Sequence, residues 1–150
     1  MGTRRKSREL ALQALYQDEL AGKAGLTDFA EFCAHFQMPK KAMPYAELLL
    51  NGVREKGAEI DQLIRSSAEN WRLERMSVID RNILRLAVYE LNFRDDVPNS
   101  VVINEAVELA KRYSTDDSGP FINGVLDGMA RAAAQSSGKR LSAADGLSKL

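Results

Sequence analysis

Reactive side chains are nearly absent from this chain. Its 150 residues include one cysteine, Cys33, and one histidine, His35. A single thiol excludes an intramolecular disulfide and suits a reducing compartment. Cys33 and His35 stand two apart, so on a helix they point in different directions, and no second Cys or His completes a zinc site or a nucleophile–base pair. The 10 glycines are scattered and form no phosphate-cradling loop. Asp116 and Asp117 with Glu105 suggest a hard-metal set, but acids just ahead of a helix have a simpler use at its positive end. No apolar run approaches ~18 residues, and the N-terminus lacks the apolar core of a signal peptide. The expectation is a soluble cytoplasmic protein with no membrane segment, no metal, no cofactor and no enzymatic activity. Charge of one sign is missing too: 21 bases cancel 21 acids, so the total says nothing about a partner.

What the chain does have is helical periodicity throughout, with no strand-like alternation, so the class is all-α with about six to seven helices. The segment Ser77–Phe93 is apolar around most of its circumference, which marks a buried central helix. Ser77 with Asp80 three residues on fits a capping box that fixes its start. Glu90 projects into the apolar side, and an unpaired charge there is prohibitively costly, so a donor on a neighbouring helix must meet it. A first helix is expected from Arg4 to Leu20 and a short one from Thr27 to Phe36. The longest should run from Pro44 to about Ser67, with Gly52 and Gly57 marking close helix contacts. Trp71 reads as a lid on the core. After the turn Asp95–Pro98, helices follow over Val101–Tyr113 and from about Ser118, capped by Ser118 or Asp117 with Pro120 in the first turn. Residues 1–134 make one domain, or two small subdomains sharing a core, and 135–150 read as a disordered tail.

Placement of charge says more than its sum. Arg4, Arg5, Lys6 and Arg8 precede the first acid, Glu9, at a helix start whose dipole prefers acids. Such a leader is either a frayed, solvated end or a binding surface that breaks local preference for a reason. Acids predominate from Glu90 to Asp117, so a neutral molecule carries two poles.

Three segments in order, RRKSRELALQALYQ, IDRNILRLAVYEL and VPNSVVINEAVELAKRY with FINGVLD, resemble the NusB family of bacterial transcription antitermination factors. The likeness spans residues 4–131; Thr27–Lys41 and the tail match nothing in particular. It implies two small antiparallel helical bundles sharing a core. It also implies work in the transcription elongation complex on ribosomal RNA operons, where NusB pairs with NusE, a ribosomal small-subunit protein, on single-stranded boxA RNA. Carried over by position, Arg4, Arg5, Lys6 and Arg8 match an RNA-contacting leader. Phe121 either stacks on a base or packs in the core, and Asp117 is an acid beside the RNA surface that caps the helix, accepts from a base or restrains affinity. Tyr16 and Asp80 match positions that hold NusE, with Arg81 a neighbouring candidate; Asp80 has its capping box and Tyr16 the core as alternative uses. Gly119-Pro120 departs from the polar or basic residues common in relatives, and Lys139-Arg140 in the tail is a possible source of replacement charge. Four phosphate contacts would give a single-strand log–log salt slope near −3. The competing readings are a protein-only adaptor or homodimer without RNA contact, and the targeting module of an RNA-modifying enzyme.

Overall fold

Ser77 accepts a hydrogen bond from the Asp80 amide at 3.1 Å, and the central helix starts there. The computed structural model describes residues 2–22, 28–34, 39–68 and 72–148, with side chains described as far as residue 134. The helices are α1 (Thr3–Ala21), α2 (Phe29–Ala34), α3 (Met43–Glu55), α4 (Gly57–Ser67), α5 (Val78–Phe93), α6 (Asn99–Tyr113) and α7 (Ser118–Ser148). Short 3-10 turns occupy Lys40–Ala42 and Leu73–Arg75, and no strand occurs among the described residues. Thr27, His35, Phe36 and Trp71 lie outside the described residues.

Helix α5 is the centre of the fold: it packs on α1, α3, α4, α6 and α7. Ile83, Leu84, Leu86, Ala87 and Val88 are buried on it, as the all-round apolar pattern predicts. Helices α1 and α3 pack together against it, and α6 pairs with α7 on it. Helix α1 runs antiparallel to α5, because Arg8 bonds Glu90 near one end while Glu19 bonds Arg81 and Arg85 near the other.

Three local findings refine the sequence reading. The expected Pro44–Ser67 helix breaks at Lys56, whose ψ of 15° leaves the helical range before Gly57 opens α4. The apolar stripe resumes in step from Val53 to Ile60, so the pattern crosses the break unmarked. Gly52 is the close approach: a Cβ there would lie 2.2 Å from the Tyr89 ring, whereas one on Gly57 meets nothing within 4 Å. Finally, the backbone is helical through Ser148, across the boundary at residue 134 read from composition.

Candidate nucleic-acid interface

Helix α1 opens from extended backbone at Gly2 with no side-chain cap and no acid in its first turn. At ~100° per residue, Arg4 and Arg8 share one direction, Arg5 and Glu9 another, and Lys6 lies beside them on the open side. The leader is therefore split. Arg4 stacks its guanidinium 4.2 Å over the Tyr45 ring and donates to Asp96 at 3.1 Å. Arg5 grips the Glu105 carboxylate through Nε and Nη2 at 3.0 and 2.7 Å. That contact holds Glu105 below the ordinary carboxylate value, against the opposing effect of burial. The Lys6 ammonium sits 3.6 Å from Glu9, and its side chain is 48% exposed.

Arg8 corrects the expectation of a four-base rim. It is 5% exposed, and both Nε and Nη2 donate to Glu90 at 2.8 Å. The Tyr45 hydroxyl donates to the same carboxylate, and burial together with that bond pushes the Tyr45 pKa up to about 12. Arg8 is thus the donor that buried Glu90 requires, and it presents no charge to a polyanion. Both halves of this pair were visible in the sequence: Glu90 on the apolar face of one helix, and Arg8 in line with Ala11, Leu12 and Leu15 on another.

From Arg5 a seam bridged by side chains runs between α1 and α6. Arg5 meets Glu105, and Glu9 accepts from Arg112 at 2.8 Å. The two helices therefore advance in the same direction. Glu9, Glu108, Lys111 and Arg112 line a cleft of about 240 Å³ along the seam. Between Glu105 and Tyr113 the helix advances about 12 Å, so the leader and the α6–α7 turn stand at opposite ends. Lys111 and Arg112, with side chains 67% and 59% exposed, are the bases between them that sequence reasoning passed over. Their signal was a basic pair at a helix end within an otherwise acidic stretch.

At the far end, the Asp80 carboxylate accepts from the Ser114 and Ser118 hydroxyls at 2.6 and 2.9 Å. Only the Ser77 half of the capping box forms; the half-exposed acid instead clamps the turn before α7. Asp117 is exposed on that turn, and its carboxylate makes no hydrogen bond among the described residues. Phe121 is half-buried and packs against the core. Arg81 also turns inward: it holds Glu19 through Nε and Nη2 and donates to the Met76 carbonyl at 2.7 Å. The bond from Arg81, aided by Arg85 and opposed by burial, holds Glu19 below the ordinary carboxylate value. Tyr16 is half-buried on α1. Among the described residues no cluster of His, Cys, Asp and Glu is arranged for a metal, and no helix is long and apolar enough to cross a membrane.

Comparison with known proteins gives concordant results. The NusB family model matches residues 5–131. The transcription antitermination protein NusB of Desulfosudis oleivorans is 47% identical over 131 residues, covering 85% of this chain and 84% of that protein. The solved structure of T. maritima NusB superposes with a TM-score of 0.75 at 42% identity, covering 85% of this chain and 90% of that one. A structure of antitermination factors NusB and NusE in complex with dsRNA superposes with a TM-score of 0.74 at 29% identity, over 87% of this chain and 97% of its counterpart.

Proposed function

This chain belongs to the NusB family of transcription antitermination proteins, and from that premise we propose that it captures single-stranded boxA RNA together with NusE, in the cytoplasm, within the transcription elongation complex. It is a non-enzymatic adaptor. The observation that carries the RNA reading is the exposed first turn of α1, where Arg4, Arg5 and Lys6 stand at the head of a seam that continues through Lys111 and Arg112.

Lys and Arg there position phosphates, while base identity is read elsewhere. At the other end of the seam half-buried Phe121 is the side chain that would stack on an unpaired base, worth ~1–3 kcal/mol, and Asp117 repels phosphate and so restrains affinity. Asp96, Glu105 and Glu9 hold the leader bases in the free protein, and RNA exchanges each carboxylate for a phosphate. The NusE contact includes Tyr16, with Asp80 and Arg81 shaping the surface behind it. The working unit is residues 1–134.

The test is titration of labelled boxA RNA with this protein, with NusE, and with both. With Arg8 buried, the three leader bases contribute about −2 to the single-strand salt slope, not the −3 of a four-base leader. Saturable binding strengthened by NusE supports the reading. No saturable binding with both proteins present rejects it in favour of a protein-only adaptor.

A further inference from the structure

The region that resembled nothing in the sequence reading contributes a second set of bases to the same end of the molecule. The 3-10 turn Lys40–Ala42 is fastened to the start of α1: the fully buried Ser7 hydroxyl donates to the Ala42 carbonyl at 2.6 Å. A second fastening lies just beyond, where Tyr45 in the first turn of α3 meets the Arg4 guanidinium and bonds Glu90. The turn is therefore held in register with the leader.

Lys40 and Lys41 are both exposed, and neither is ion-paired among the described residues. The segment 35–38, which precedes the turn in sequence and lies outside the described residues, contains no Asp or Glu. This contrasts with Arg4, Arg5 and Lys6, each of which faces an acid. Going round α1, Arg5 faces α6 and Ser7, ~200° further on, faces the Lys40–Ala42 turn. Lys6 falls between them on the open side. The bases thus form a band across the head of a helix ~10 Å wide, and its unpaired charges are those of the turn.

We infer that Lys40 and Lys41 extend the RNA-binding surface round the head of α1, contacting phosphates on the side opposite the α1–α6 seam. This inference rests on the RNA reading above and names residues that reading does not include. A phosphate strand gains most from these two lysines, because no internal carboxylate has to be displaced first. Because ammonium–phosphate contacts carry no sequence information, the pair adds affinity uniformly rather than selectivity for boxA.

The experiment measures binding of labelled boxA RNA, and of a scrambled RNA of equal length, in the presence of NusE at 50 to 200 mM salt. It compares wild type, K40Q/K41Q and the control R72Q/R75Q, which removes the same charge beside the Leu73–Arg75 turn, at the far end of α5 from Glu90. Two lost phosphate contacts flatten the single-strand salt slope by about 1.4, so the wild-type advantage shrinks about sevenfold across that range. The expected result is that flattening in K40Q/K41Q, equal for both RNAs, with unchanged thermal unfolding and an unaltered slope in the control. An unaltered slope in K40Q/K41Q while wild type binds overturns this inference alone. Equal flattening in the control also overturns it, since net charge then explains the effect. Absence of wild-type binding overturns the RNA reading and this inference together.

Discussion

Arg8 and Arg4 differ by one helical turn and by their entire environment. Removing Arg8 leaves the Glu90 carboxylate buried without its bidentate donor, and breaking such a pair costs about 3–5 kcal/mol. Arg8→Ala should therefore lower stability in urea unfolding by that amount, whereas Arg4→Ala, at a half-exposed pair, should change it by less than about 1 kcal/mol. Equal effects would mean that Arg8 is not the neutraliser of Glu90. The same cluster sets an alkaline limit. Tyr45 is raised in the folded protein from 10.0 to about 12, so its protonated form is favoured by folding. Its contribution is full below about pH 10 and lost as pH rises toward 12, and Tyr45→Phe should remove that dependence. Glu19 and Glu105 act in the opposite sense. Both are lowered from 4.5, so their contribution is full above that value and lost as pH falls below it. At Asp117 the carboxylate is exposed and caps nothing by its side chain, so Asp117→Asn should leave unfolding unchanged and tighten RNA binding. Weaker binding by the folded Asn variant would reject restraint.

Among the elements, the two internal glycines of the α3–α4 region separate what a pattern reveals from what it hides. Both read as close contacts. At Gly52 the Tyr89 ring occupies the space of a Cβ, so Gly52→Ala should destabilise by about 1–3 kcal/mol through overpacking. At Gly57 the space is open and the residue begins a helix, so Gly57→Ala should be neutral or stabilising by up to about 1 kcal/mol in the same assay. Helix positions were legible because apolar spacing records which face is buried: α1, α5 and α6 begin and end within a few residues of the expectation. The break at Lys56 was not, because a one-residue change of ψ leaves the stripe in phase on either side. The site was legible as a charge run but not as a surface. Which of four neighbouring bases points inward depends on where α5 and α6 stand. The roles of Asp80 and Arg81 likewise depend on Ser114, Ser118 and Glu19, partners 34 to 62 residues distant in sequence that a local pattern cannot supply.

For the whole molecule, the decisive property is a local gathering of bases, each held by a carboxylate that a phosphate can replace, within zero net charge. Acids and bases are equal in number, yet the head of α1 gathers Arg4, Arg5 and Lys6 in one turn, while the ion pairs around Glu19 tie the far end of α1 to α5. The fold supplies position and charge rather than reactive groups, which is what an adaptor between a polyanion and a protein companion needs. The most direct test is to replace Arg4, Arg5 and Lys6 together by alanine, leaving Arg8 in place to keep Glu90 neutralised. Binding of boxA RNA in the presence of NusE is then measured across 50 to 200 mM salt. A folded variant that binds weakly with a slope flattened by about 2 is the predicted result; a folded variant whose affinity and slope equal those of wild type would contradict it.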